Sequence, residues 1–254
     1  MAKRGQPGPR SSTSTTYNLK EGQIVVAAGA AGMERFAGMD FAPTGVTCPA
    51  DFSMNDAADL IIGHYERHAL SWDADRRAAG WNDKCWIDRF IGLLPADAAV
   101  LDLGCGGGKP VAFTMAAHGL RVTGVDSSPT LISLCRARMP DQRWLVADMR
   151  SLSLGRHFQG VLAWDSFFHL KHDDQRAMFP IFSAHATSGG TLMFNAGFAH
   201  GEGIGSYRGD PLYHASLDIV EYENLLKDAG FDLVTHSIND PAKGGRIVWI
   251  ARRR

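Results

Sequence analysis

Asp102 opens the run Asp102-Leu103-Gly104-Cys105-Gly106-Gly107-Gly108, and a second acid, Asp126, follows Gly104 by 22 positions. Glycines at this density allow positive φ and let a ligand lie against bare backbone. A carboxylate at the mouth of such a turn suits a ligand carrying an ammonium group. An acid about 20 residues further on stands where a βαβ unit brings a carboxylate to ribose hydroxyls. The dinucleotide fingerprint Gly-x-Gly-x-x-Gly is not completed, because its third glycine falls on Lys109 in one register and on Val111 in the other. A pyrophosphate-cradling turn is therefore disfavoured, and Asp-x-Gly-x-Gly-x-Gly remains.

A second group of residues can move protons. Asp165-Ser166-Phe167-Phe168-His169 follows an apolar run at 160–164 that ends on Trp164, and in open α/β sheets ligands sit beyond the carboxyl ends of strands. His169 and His214 are the candidate bases, since unperturbed imidazole titrates near pH ~6.5, with Asp165 third. Tyr207 and Tyr213 are placed to orient a substrate. Each of these side chains has an ordinary binding or packing role as its alternative.

The glycine run, the acid Asp126 at the end of the next strand and Ala147-Asp148-Met149 after the third strand together resemble the motifs of class I S-adenosylmethionine-dependent methyltransferases. The resemblance spans about 56–252 and is more specific for cofactor than for substrate. It implies that Asp102, Gly104, Cys105 and Gly106 hold the methionine part of S-adenosylmethionine, with the backbone amide of Cys105 mattering more than its thiol. It further implies that Asp126, with Ser127 beside it, binds the ribose, that Asp148 and Met149 flank the adenine, and that Trp164 ends the strand facing the methyl group. A helix ahead of the first strand lies across the cofactor in that family, so Tyr65 with Trp72 or Arg76 would line the same edge. The fold implied is a Rossmann-like three-layer α/β sandwich with a seven-stranded, mostly parallel sheet whose last strand is antiparallel.

The elements that must position these groups are legible as periods. Asn55 or Asp56 caps a helix with Leu60, Ile61 and Leu70 facing inward, and a second helix places Trp86, Phe90, Leu93 and Leu94 on one face until Pro95 ends it. Strands are predicted at 98–101, 121–125, 144–147, 160–164, 191–195, 231–237 and 246–251. Helices run from Pro110 to about His118, and from Pro129, capped by Ser128, to Met139-Pro140. Another starts at Asp173 and Asp174, with Pro180 expected to kink it, and another follows the capping box Asp218-x-x-Glu221. Ser188-Gly189-Gly190 and Lys243-Gly244-Gly245 read as turns. Because no helix separates the last two strands, they must pair as a hairpin.

Two stretches lack a period. Residues 1–53, basic at the start and rich in Ala, Gly, Ser and Thr, read as a poorly ordered extension ahead of a methyltransferase domain at 54–254. Residues 196–215 read as an irregular insertion where a substrate lid would sit.

Composition narrows the partners. With 254 residues, 45% hydrophobic, and a formal net charge of −1, there is no electrostatic case for nucleic acid or a membrane surface. Four scattered cysteines lack C-x-x-C spacing, so neither a thiolate zinc site nor a disulfide frame is indicated, and a reducing cytoplasmic setting fits. No run approaches the ~18 apolar residues of a membrane span. The Asp/Asn-Pro-Pro-aromatic motif of base-amino methylation and the Pro-Cys pair of cytosine C5 methylation are both missing after 164. The reading is methyl transfer to a small molecule. The alternatives are an RNA or protein methyltransferase docking through the basic first 20 residues, and a non-catalytic cofactor-binding domain.

Overall fold

The computed structural model describes residues 54–197, 199–237 and 246–254, and a short antiparallel pair, β1 (Arg35–Phe36) and β2 (Met39–Asp40). The remainder of 1–53 and the turn at Lys243-Gly244-Gly245 lie outside the described residues.

Four helices come first: α1 (Met54–Asp59), α2 (Ile61–Arg67), α3 (Ala69–Ala78) and α4 (Lys84–Gly92). Strands and helices then alternate: β3 (Ala99–Leu103), α5 (Val111–Ala117), β4 (Arg121–Asp126), α6 (Pro129–Arg138), β5 (Arg143–Val146), β6 (Phe158–Ala163), α7 (His172–His185) and β7 (Ala186–Asn195). A hairpin, β8 (Gly201–Tyr207) and β9 (Asp210–Ser216), precedes α8 (Ile219–Asp228), β10 (Phe231–Ser237) and β11 (Val248–Arg253).

The main sheet has seven strands in the order β10-β11-β7-β6-β3-β4-β5. β3 pairs in parallel with β4 and β6, and the order reverses beside it, which opens a crevice at the carboxyl ends of β3, β4 and β6. β11 is antiparallel to both β7 and β10, as the missing helix between the last two strands requires. All five residues of β3 are buried, Asp102 among them, because both faces of a parallel strand are covered.

One face of the sheet packs Trp86, Ile87 and Phe90 of α4 with Met115, Ile132 and Cys135, so Cys135 is a core residue as its helical position predicts. The other packs Phe179 and Phe182 of α7 with Phe194, Tyr222 and Trp249. Each such fully buried side chain contributes about 1.5–3 kcal/mol relative to exposure.

Ser128 caps α6 by accepting from the Leu131 amide, and Asp218 caps α8 by accepting from that of Glu221, both as read from sequence. Three expectations fail. The first predicted helix is broken at Leu60 and His68 into α1, α2 and α3, which turns Leu60 and Leu70 outward at 52% and 64% exposure while Ile61 stays buried. The turn expected at Ser188-Gly189-Gly190 is absorbed into a longer β7, where Gly189 has φ 71° and the pairing with β6 shifts register. The irregular insertion expected at 196–215 is instead an ordered hairpin. β8 and β9 pair from Gly201↔Ser216 to Tyr207↔Asp210, and Ile204, Tyr213 and Ala215 bury against Ala57 and Ala58 of α1. α7 runs to His185 with Pro180 inside it.

Candidate active site

The glycine turn leaves β3 with Gly104, Gly106 and Gly108 at φ 74°, 55° and 77°, a backbone that only glycine adopts freely. These glycines do different work. A Cβ on Gly104 would lie 2.2 Å from Cβ of Ser166, whereas one on Gly106 would stand in open space with no atom within 4 Å. Gly104 is thus closed by packing, and Gly106 faces the cleft it lines.

Asp102 and Asp126 face that cleft from adjacent strand ends. The amides of Gly106 and Ser128 donate to Asp126 Oδ2 and Oδ1, each at 2.9 Å, which fixes the carboxylate and leaves lone pairs for hydroxyl donors. Asp102 is 2% exposed, and its Oδ2 is buried with no hydrogen-bond partner among the described residues. Burial, with the Asp126 charge beside it, pushes its carboxyl up to about 7. A buried acceptor without a donor is costly unless a ligand completes it. An ammonium group does so, and the residues present therefore fit the methionine end of S-adenosylmethionine at Asp102 and its ribose at Asp126.

The short N-terminal helices roof the cleft, held by two carboxylates that their sequence pattern did not single out. Glu66 of α2 accepts from the hydroxyl of Ser128 and from Thr130 Oγ1 (2.6 Å) at the start of α6. Asp73 of α3, 4% exposed, accepts from Arg138 at 2.5 and 2.7 Å, while Arg138 also donates to the carbonyl of Gly107. These contacts bring Tyr65 and Trp72 to the cleft wall, in edge-to-face contact with ring centroids 5.3 Å apart.

Ser127, Asp148 and Met149 line, with Asp126, a second cleft of about 700 Å³ that opens to solvent and shares Trp72, Gly104, Gly106 and Asp165 with the one at Asp102. The Asp148 carboxylate is committed to the Arg150 guanidinium at 2.6 to 3.0 Å. The Arg150 partner holds that carboxyl below its usual range despite partial burial. Cys105 lines the cleft at Asp102 and burial pushes its thiol well up, but its amide, expected to serve the ligand, is instead spent on the Val125 carbonyl at 3.1 Å, and its carbonyl accepts from the Gly108 amide.

Trp164 and Asp165 form the opposite wall. Asp165, at φ 53°, accepts from Arg76 Nη2 (2.8 Å) and Asn195 Nδ2 (2.7 Å) and pairs with Arg246 Nη1 at 2.6 Å. Two donors and a neighbouring guanidinium thus fix the carboxylate in place, which suits it to positioning. Arg246, 4% exposed, also pairs with Asp83, which accepts from Trp164 Nε1. Arg246, Asp83 and Asn195 carry no spacing signal, and their roles arise only when distant segments meet.

The two candidate histidines come together, with ring centroids 4.7 Å apart, but only His169 reaches the cleft. His169 lines the cleft, and its Nδ1 lies 2.7 Å from the carbonyl of Tyr213, an acceptor only, so Nδ1 carries the proton and Nε2 accepts from the Tyr65 hydroxyl. His214 is buried, stacks on Phe168, and hydrogen-bonds the carbonyl of Leu212 through Nδ1. It is not among the residues walling the clefts described here. Tyr207 and Tyr213 are held by Asp75 and Glu202.

Residues 100–190 match the family model described as methyltransferase domain. Trans-aconitate 2-methyltransferase of Escherichia coli (strain K12 / DH10B) is 39% identical over 70 residues, covering 27% of this chain and 25% of that enzyme. The match thus spans a quarter of that relative's length. The S-adenosyl-L-methionine-dependent Diels-Alderase iliD of Neonectria sp. (strain DH2) is 28% identical over 61% of this chain and 67% of its own. Among solved structures, magnesium protoporphyrin IX methyltransferase from Synechocystis PCC 6803 aligns with TM-score 0.60 at 16% identity, over 82% of this chain and 100% of that one. The 1,6-didemethyltoxoflavin-N1-methyltransferase of Burkholderia thailandensis aligns with TM-score 0.59 at 20% identity, over 81% and 92%. Residues 100–190 thus match a methyltransferase domain, and the chain shares the fold of these methyltransferase structures.

Proposed function

We propose that the protein transfers a methyl group from S-adenosylmethionine to a small-molecule acceptor. The observation that carries the reading is the pair of carboxylates at the glycine turn, Asp102 buried with its Oδ2 lacking a donor and Asp126 half-buried and anchored by two amides. The names of two similar curated proteins, trans-aconitate 2-methyltransferase and ubiquinone biosynthesis O-methyltransferase, support a small acceptor. The near-zero net charge favours the same class over nucleic acid, and the free thiols of Cys85, Cys105 and Cys135 support a reducing cytoplasmic setting.

S-adenosylmethionine supplies an electrophilic methyl group on a sulfonium. Asp102 pairs the ammonium end, Asp126 the ribose hydroxyls, and Asp148 and Met149 border the adenine. Tyr65, Trp72 and Trp164 would wall the space in which the methyl group crosses. Transfer in line needs a nucleophile held about 3 Å from the methyl carbon, so alignment is the chief task of these walls. Where the acceptor must lose a proton, His169 receives it by way of the Tyr65 hydroxyl.

The test is thermal denaturation of wild type and Asp126→Ala with and without S-adenosylmethionine or its demethylated product. At about 100 times the dissociation constant a ligand stabilises the native state by roughly 2.7 kcal/mol. A shift in wild type that the variant loses supports the assignment; a folded wild type that does not shift rejects it.

A further inference from the structure

A cluster outside the cofactor cleft has ligand chemistry of its own. His64 and His68 stand one helical turn apart, the first within α2 and the second just past its end, with ring centroids 4.8 Å apart. Asp210 faces them from the first residue of β9. Each of the three offers a ligand atom, and these atoms all lie within 4.8 Å of one another, with His68 Nε2 2.8 Å from Asp210 Oδ2.

The backbone presents Asp210 rigidly. It closes the β8–β9 hairpin opposite Tyr207 across a two-residue turn in which Arg208 and Gly209 both have positive φ, 52° and 89°. The Tyr207 ring meets both imidazoles edge-on, at 6.0 and 5.5 Å, and its hydroxyl donates to Asp75 on α3. Two imidazoles and one carboxylate on two fixed elements match the donor set of a borderline divalent metal, and a tetrahedral site needs ligand atoms roughly 3.3 Å apart. Small side-chain rotations close the observed spacing.

We propose that His64, His68 and Asp210 bind a divalent transition-metal ion of the zinc class, which clamps the β8–β9 hairpin onto α2. The donor set contains no thiolate, so cysteine spacing carries no trace of it. Arg67 now pairs with the carboxylate of Asp210 and competes for it. Metal binding exchanges that guanidinium, and the contact between His68 and Asp210, for the ion. The clamp bears on function because α2 also carries Tyr65, at the cofactor wall. The proposal stands whether or not the methyl-transfer reading holds.

The test uses the full chain, stripped with chelator, titrated with Zn2+ by calorimetry and with Co2+ by absorption. Wild type is expected to bind one ion per chain at micromolar concentration or below, with a tetrahedral Co2+ spectrum lacking thiolate charge transfer. His68→Ala and Asp210→Asn, both at part-exposed positions and each checked for an unchanged metal-free melting temperature, are expected to lose at least about tenfold in affinity. Arg67→Ala is expected to tighten it by removing the competitor. A wild type that binds no ion, a thiolate spectrum, or His68→Ala and Asp210→Asn chains that bind as wild type does would each overturn the proposal.

Discussion

The Tyr65 hydroxyl donates to His169 Nε2 across 2.7 Å, and the opposite nitrogen of that imidazole is spent on the Tyr213 carbonyl, also at 2.7 Å. The arrangement fixes the tautomer and leaves one basic lone pair, aimed at a phenol on the cleft wall. Burial lowers the His169 pKa to about 4, so the ring is neutral and able to accept a proton at pH 7.

Replacing His169 with Gln keeps a polar side chain but removes the base. For an acceptor that must be deprotonated, general-base catalysis is worth about 10²–10⁴ in rate. His169→Gln is expected to lower kcat by a factor in that range while cofactor affinity changes by less than about threefold. Tyr65→Phe should lower kcat in the same direction. Single-turnover rates at saturating cofactor measure both; a His169→Gln enzyme with wild-type turnover removes His169 from the chemistry.

Asp102 makes a different prediction. Its carboxyl is held up to about 7, first by burial and then by the Asp126 charge, so below that pH it is a neutral acid that cannot pair an ammonium. Cofactor affinity should therefore fall as pH drops from about 8 to 6, and binding near pH 7 should release a proton into buffer. In the ligand-free protein the sign reverses. A folded pKa above the unfolded value of about 3.9 means the native state binds more protons, so the Asp102 contribution to stability is lost as pH rises from about 4 through 7. Calorimetry in buffers of differing ionisation enthalpy, with Asp102→Asn as control, reads the released proton directly.

The parts legible in the sequence are those fixed by neighbours along the chain. Asp102, the glycines and Asp126 lie within one βαβ unit, and the Ser128 and Asp218 caps act within one turn. The hairpin was hidden because Gly201, Gly203, Gly205, Gly209 and Pro211 interrupt the apolar alternation that marks strands, although Ile204, Tyr213 and Ala215 do point inward. The staples of the cleft were hidden for another reason. Glu66 to Thr130, Asp73 to Arg138 and Arg246 to Asp83 are charged or polar side chains whose partners lie 64, 65 and 163 positions away, a distance over which no local period runs.

Arg246 tests what those distant pairings contribute. Its guanidinium is 4% exposed and lies between Asp83 and Asp165, themselves 2% and 8% exposed at the side chain. Arg246→Met keeps the volume and leaves two buried carboxylates short of a partner. Breaking a buried pair in this way costs about 3–5 kcal/mol, and chemical denaturation of wild type and variant measures it. Because Asp165 also loses its neighbouring positive charge, the cleft wall should loosen as well, raising the acceptor KM. A loss under about 1 kcal/mol would mean that Arg76 and Asn195 suffice to hold Asp165.

The glycine turn offers the sharpest contrast, because two glycines two positions apart should fail for different reasons. At Gly104 an added methyl meets Ser166 Cβ at 2.2 Å, and φ 74° adds backbone strain. Gly104→Ala should therefore destabilise the fold by about 2–4 kcal/mol, from overpacking together with the left-handed backbone. At Gly106 the methyl meets nothing, so only the backbone cost of about 1–2 kcal/mol remains. That methyl nevertheless projects toward the space a ligand would use. Gly106→Ala should fold, melt a few degrees lower, and bind S-adenosylmethionine at least tenfold more weakly. Paired melting curves with and without cofactor separate the two outcomes, and a Gly106→Ala protein with wild-type cofactor affinity would place the methionine end of the ligand elsewhere in the cleft.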